Sequence, residues 1–394
     1  HMPMAMRPAL RTGALNAIGT IRDEDERAEA LMAFAPHLEY VTNTEQFPLL
    51  LEHALRIAVG IKRRHLRARA LVALSPHLTL DLQGEALAAV HSLSSERERA
   101  TLLADLAATL PPEMLVASLA VAHSMQSQDA RVHALSVLVH YVPEHARDQT
   151  LLDALAAANN LPRPYERIVA LVGLIDILPA GLREQTCANA LETVRLMKNE
   201  NASARALGLL APHLPPAMGR RALEIARGLT NPVQRYAALN GLLPFLVAYD
   251  RQIVLPELLA AIEDMPYEYR RARALAEITP LLPDELIPQT IEIVDRIADP
   301  FDRVSACVVL IPRLPADQGR RVLADCWRLI RQIDNGYDAA CALSAIAPML
   351  PPAAASDLAR AAGMIIGSIM DEYDQASAIA LLAPLLALSR APER

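Results

Sequence analysis

The chain has 394 residues, a net charge of −7, 53% apolar residues and 4 cysteines. This high apolar fraction excludes an intrinsically disordered chain, because enough surface can be buried to offset the loss of conformational entropy on folding. So few cysteines exclude a disulfide-stapled secreted scaffold, and the acidic balance disfavours a nucleic-acid partner. The longest nearly apolar stretch, 378–388, contains a proline and is too short to cross a membrane. No basic, apolar leader precedes Leu10, which favours a cytoplasmic location, and we interpret His1-Met2 as a cloning remnant.

One phrase recurs along the whole chain. The segment 67–78, which reads Arg-Ala-Arg-Ala-Leu-Val-Ala-Leu-Ser-Pro-His-Leu, has counterparts at 27–38, 271–282 and 303–314. Its last position is apolar in 11 copies, and the steps between copies are 32, 36 or 40 residues. Repeats of this length are typical of stacked helical hairpins. The sequence therefore predicts an all-α, right-handed α-solenoid of about eleven two-helix repeats, forming a single domain over 1–394.

Each repeat is predicted to contain a helix A and then a helix B. Helix A carries an apolar mark 12 residues before the Arg position, which is Leu from Leu15 to Leu259 and then Ile291, Trp327 and Gly363. Helix B keeps its apolar residues on one helical stripe. The repeats differ in length only before the helix A mark, by steps of four residues, so insertions are expected to add one turn at the start of helix A.

Prolines and capping residues at the predicted helix ends agree with this division into helix A and helix B. The proline directly after the final Leu in most copies is expected to end helix B, because proline cannot donate the helical hydrogen bond. The proline two residues before the final Leu is expected to bend or tighten the last turn of helix B. Polar turns such as 299–302 and 334–338 supply Asp or Asn to cap the next helix B.

The two helices are predicted to differ in exposure. Helix A varies in charge at one outward position, as in Arg195, Glu263 and Arg331, which indicates an outer, convex layer. Helix B is small or apolar nearly all round and is expected to be the inner layer, whose free face lines a concave groove. The predicted groove residues are Arg69, His133, Arg205 and Arg273, two after the Arg position, with His37, His77, Tyr141, His213, Phe245 and Arg313 of the Pro-x-Leu ends.

One column of arginines stands at the start of helix B. It contains Arg27, Arg67, Arg99, Arg131, Arg167, Arg235, Arg271 and Arg303. A cation in a first helical turn opposes the helix dipole and needs a compensating partner. We interpret the column as a structural ladder that pairs with carboxylates and turn carbonyls; the alternative is a guanidinium stripe for an anionic partner.

No constellation in the sequence predicts a reaction. The cysteines are isolated, and Cys307 and Cys326 stand at core positions of their helices. Nucleophile elbows, paired metal-binding histidines and phosphate-binding loops are all missing. We therefore expect no catalytic residue, cofactor or metal.

The last repeat is predicted to lack a polar outer face. Its helix B runs through 378–388 and is apolar on two sides. Exposed apolar patches mark interfaces, so we expect either a continuation into a larger protein or a homodimer formed through Leu382 and Leu385.

The consensus Arg-Ala-x-Ala-Leu-x-x-Leu-x-Pro-x-Leu-Pro resembles the tandem HEAT-like or tetratricopeptide-like repeats of large bacterial signalling proteins. The resemblance covers all the repeats and implies a sensor or docking region. The predicted function is a non-catalytic scaffold that binds a protein or peptide on its concave face. The alternative is a helical-repeat enzyme or ligand-binding protein, for example a nucleic-acid-processing one, with an unrecognised site in the groove.

Overall fold

The computed structural model describes residues 7–41, 47–78, 80–350 and 354–388. Within these ranges the chain forms 22 α-helices joined by 3-10 turns and short loops, and no strand. Odd-numbered helices are helices A and even-numbered helices are helices B. The prediction of an all-α solenoid of two-helix repeats is confirmed.

Helices A vary in length. They are α1 (Arg7–Thr20), α3 (Phe47–Val59), α5 (Leu80–His91), α7 (Pro112–His123), α9 (Glu144–Asn159), α11 (Ala180–Arg195), α13 (Gly219–Arg227), α15 (Ala248–Glu263), α17 (Ile287–Asp295), α19 (Ala316–Ile330) and α21 (Ala355–Ser368). The short repeats give α5 and α7 12 residues each, and repeats four residues longer give α9 and α11 16 each. The four-residue insertions therefore add one helical turn, as predicted.

The longest repeat departs from this rule. Its helix A, α3, has only 13 residues, and part of the additional length forms a seven-residue 3-10 helix, Ala35–Val41, after the preceding helix B.

Helices B are nearly uniform. They are α2 (Glu24–Phe34), α4 (Arg64–Leu74), α6 (Glu96–Ala107), α8 (Gln128–Leu138), α10 (Pro164–Ile175), α12 (Glu200–Leu210), α14 (Pro232–Leu242), α16 (Glu268–Ile278), α18 (Pro300–Leu310), α20 (Gly336–Ile346) and α22 (Glu372–Leu388). Asp299 and Asn335 cap α18 and α20 by accepting backbone N–H groups of the first turn. The x-Pro-x segments that follow many helices B form 3-10 turns, as at Thr279–Leu281.

The described chain divides into two compact units. The first comprises His1–Met197 with His213–Pro215, and the second comprises Lys198–Pro212 with Pro216–Arg394. The single-domain organisation stays a prediction.

Successive helices B of the second unit pack through different side chains. In the second unit α12 and α14 pack closely at two glycines, where a Cβ added to Gly241 would lie 3.3 Å from the Cα of Gly208. Between α14 and α16 the buried side chain of Tyr236 intervenes, and its hydroxyl lies 3.2 Å from the carbonyl oxygen of Ala274. The groups at the contact thus differ between these two pairs of helices B, with glycines in one and a buried tyrosine in the other.

Candidate binding face

The free face of helix B begins two residues after the Arg position. Arg69, His133, Arg205 and Arg273 are all exposed there, whereas the residues on either side of each are buried. The structure therefore places each of these four predicted groove residues on the solvent-facing side of its own helix B, which we call the B face of that helix. On the B face of α10 Val169 is 47% exposed, and on that of α12 Leu209 is 39% exposed.

A groove opens on the B face between α8 and α10. Its volume is about 360 Å³, and its lining includes His133, Tyr165 and Val169 with the carboxylates Asp129 and Glu166. Where most helices B have alanine one residue after the Arg position, these two have Val132 and Ile168, which are buried. Val132 itself lines the groove.

The Pro-x-Leu residues lie at the ends of helices B and have different surroundings. Tyr141 and Phe245 are exposed by 44% and 51%, and His37 is exposed as well. The ring of His77 packs edge-on against Phe47 with 5.9 Å between centroids. His213 places its Nδ1 2.9 Å from a carboxylate oxygen of Asp176.

Arg313, which is predicted to line the groove, binds groups of the preceding repeat. Its guanidinium donates to the carbonyl oxygens of Thr279 and Leu282 at 2.8 and 2.7 Å and to the carboxylate of Asp284 at 2.8 Å. These acceptors lie at the end of the preceding repeat. The side chain is therefore committed to joining neighbouring repeats.

The arginine column closes the turn between helix A and helix B. All eight side chains are half-buried. Six of them donate to the carbonyl oxygen six residues earlier: Arg27 to Ile21, Arg99 to Leu93, Arg131 to Met125, Arg167 to Leu161, Arg235 to Leu229 and Arg271 to Met265. Arg303 instead pairs with the carboxylate of Asp295 at 2.6 Å. In the last repeat Gln375 takes this position and its amide lies 3.4 Å from the carbonyl oxygen of Ile369, six residues earlier.

Sequence analysis missed a carboxylate that joins successive repeats. Glu24, Glu96, Glu200 and Glu268 stand at the first position of a helix B, and each accepts two backbone N–H groups from the turn of the next repeat. For Glu96 the donors are Gln126 and Ser127, at 2.9 and 2.6 Å. The signal was present, because all four lie three residues before the Arg position.

These contacts shift the ionisation of the carboxylates. The backbone N–H groups of Gln126 and Ser127 lower the pKa of Glu96 below its ordinary value of 4.5. The pKa of Glu24 is lowered chiefly by the backbone N–H of Arg63, and that of Glu200 chiefly by the hydroxyl of Thr230. The charged form is therefore the one that the folded repeat array stabilises.

The prediction that Leu382 and Leu385 form an exposed patch is wrong. Leu382 is fully buried and Leu385 is 9% exposed, because both lie on the stripe of α22 that packs against α20 and α21. Among the side chains of α22 that the structure describes, Ile379 and Leu381 are exposed, at 45% and 37%.

Within the described residues no group of three His, Cys, Asp or Glu side chains is arranged to hold a metal ion. The four cysteines are free, and Cys187, Cys307 and Cys326 are buried. Burial raises the pKa of the Cys187 thiol, which is characteristic of an inert thiol. Among the helices of these residues, none is both long enough and apolar enough to traverse a bilayer.

Comparison with known proteins identifies a fold and no family. No family model matches the chain, and no curated protein sequence matches it. Among solved structures it is similar to Kap121p bound to Pho4p, with 12% identity, a TM-score of 0.54 and 98% of this chain covered. Kap121p bound to Nup53p is similar at a TM-score of 0.53. The chain spans 46% of the length of Kap121p, and at this identity the likeness shows the helical-repeat fold alone.

Proposed function

We propose that this chain is a non-catalytic helical-repeat scaffold that binds a protein or peptide partner along the B face. The observation that carries the proposal is that the same position of helix B is exposed in both units, as Arg69, His133 and Val169 in the first and Arg205 and Arg273 in the second. Extended surfaces of stacked helices are how repeat proteins bind partners. The solved structures of similar fold show Kap121p bound to Pho4p and to Nup53p.

Two further proposals concern context. The free cysteines agree with a reducing compartment, which supports a cytoplasmic location. The resemblance of the repeat consensus to arrays in bacterial signalling proteins supports a docking or sensor role beside a signalling domain.

The test uses the full chain as bait for a random-peptide display library, followed by affinity measurements on the enriched peptides. A B-face variant carries Val169→Arg and Leu209→Arg, which place charge at two exposed apolar sites. A matched variant carries Val116→Arg and Leu152→Arg on helices A, where both side chains are 47% exposed.

The enriched peptides should bind the B-face variant about tenfold more weakly, because charge and bulk disrupt the centre of an interface. Their affinity for the helix A variant should equal that for the wild type. Peptides that bind the B-face variant as tightly as the wild type would contradict the proposal.

A further inference from the structure

The helix A mark changes character at the end of the array. It is Leu in the first eight repeats and Ile291 in the ninth, but Trp327 in the tenth and Gly363 in the eleventh. Trp327 is the only tryptophan of the chain. A Cβ added to Gly363 would meet no atom within 4 Å, so the substitution leaves open space on α21. The largest and the smallest side chains that this position can carry therefore occur in adjacent repeats.

A cavity of about 540 Å³ lies between α19, the start of α20, and α21. Its apolar lining includes Trp327, Ile330, Met364 and Ile365, and Ala361 contributes a small side chain from α21. On the side of Trp327 nearer the start of α19, a second hollow of about 370 Å³ continues the depression. Volumes of 300–1,000 Å³ with mostly apolar walls are characteristic of small-ligand sites.

The charged groups at the rim are predominantly cationic. The guanidinium of Arg331 lies 5.7 Å from the centre of the Trp327 ring and is exposed, and no ion pair among the described residues includes it. Arg360 also lines the cavity, and its nearest carboxylate oxygen, on Asp357, lies 3.6 Å away at a well-exposed site. Two arginines against one aspartate leave one positive charge for a ligand.

We propose that this cavity binds a small amphipathic monoanion, with its apolar body against Trp327 and its carboxylate or sulfonate between Arg331 and Arg360. The walls remove the apolar body from water, while guanidinium groups match planar oxyanions. A cationic ligand is disfavoured, because the guanidinium of Arg331 already lies over the indole ring of Trp327. The proposal does not depend on the proposed partner-binding face, because none of the residues argued for that face lines the cavity.

The probe is anilinonaphthalene sulfonate, an aromatic monoanion, and its uncharged counterpart is N-phenylnaphthylamine. Selective excitation of Trp327, the sole tryptophan, reports only probe bound near it through energy transfer. The variants are Arg331→Gln and Arg360→Gln, which remove rim charge, and Ala361→Phe, which fills the cavity. Arg328→Gln is the matched control, since this exposed arginine of α19 pairs with Asp325 and is outside the lining. Thermal melting of each variant checks that it is folded.

The sulfonate should transfer energy from Trp327 and bind about tenfold more tightly than the uncharged probe, as expected for one charge-assisted contact. Each rim variant should weaken sulfonate binding several-fold, Ala361→Phe should abolish it, and Arg328→Gln should leave it unchanged. Equal affinities for the two probes, no binding to the wild type, or unchanged binding to folded Ala361→Phe would each overturn the proposal.

Discussion

At the scale of single residues, the arginine column shows why one side chain recurs. The turn before helix B leaves a carbonyl unpaired by the helix, and a guanidinium six residues later donates to it. The carbonyl also compensates a cation in the first helical turn, where the dipole disfavours positive charge. Gln375 makes the same kind of contact without a charge. The hydrogen bond therefore explains the position better than an anionic partner does.

Removing this contact is expected to destabilise the chain. Arg131→Ala and Arg167→Ala each delete a guanidinium whose Nε lies 3.1 Å from a turn carbonyl. Each should lower the free energy of unfolding by about 1–3 kcal/mol, because a half-buried acceptor loses a charged donor. Chemical denaturation measures the change. Arg69→Ala, at an exposed site on the B face, should change stability by less than about 0.5 kcal/mol. Losses within experimental error at both ladder sites would show that the column is free for a partner.

Single residues also show which features of the structure could be predicted from the sequence and which could not. The stripe of Arg69 and His133 could be predicted because burial follows helical periodicity within one helix. The role of Arg313 could not, because its acceptors Thr279 and Leu282 lie 34 and 31 residues away in the preceding repeat. Leu382 was misplaced for a related reason: a helix apolar on two sides does not show which side is packed.

At the scale of elements, the Glu96 carboxylate fastens the start of α6 to the turn before α8. The lowered pKa gives this contact a definite pH dependence. An acid whose folded-state pKa lies below its unfolded value contributes stability above that value and loses it as the pH falls through the folded-state pKa. The contribution is therefore complete above pH 4.5 and declines in more acidic solution.

Glu96→Gln should consequently melt at a lower temperature than the wild type at neutral pH, since a neutral amide accepts the two N–H groups less strongly. The difference in melting temperature should shrink as the pH falls below 4.5. Glu98→Gln, in the same helical turn, controls for the helix dipole and should show a smaller difference. A Glu96→Gln difference that stays constant between neutral and acidic pH would contradict the assigned role.

Element lengths were largely predictable, whereas element spacing was not. Steps of four residues before the helix A mark gave the additional turn of α9 and α11, because a whole turn keeps the apolar face in register. The spacing of helices B depends on which side chains meet across repeats, as with Tyr236 between α14 and α16. The cavity beside Trp327 is likewise lined by side chains of two successive repeats, among them Trp327 of α19 and Met364 of α21.

At the scale of the whole molecule, the described part of the last repeat leaves apolar surface uncovered. Ile379, Leu381 and Tyr373 are exposed on α22, Tyr373 by 80%, and the turn before the helix exposes Met370 by 95%. Exposed apolar patches beyond a few hundred Å² are unfavourable in water and usually mark an interface. We therefore expect the chain to self-associate through apolar side chains of this repeat. Ile379 and Leu381, on the two flanks of the buried stripe of α22, replace the pair first predicted.

Charging that surface should separate the copies without unfolding the repeat. The double variant Ile379→Glu and Leu381→Glu should give a monomer in light scattering, at the mass of 42.9 kDa, where the wild type gives a larger species at micromolar concentration. Leu382→Glu is the informative contrast, because a carboxylate at a fully buried site should lower the melting temperature of the chain. A wild type that stays at 42.9 kDa across this concentration range would contradict self-association, because the exposed apolar side chains would then be tolerated in a monomer.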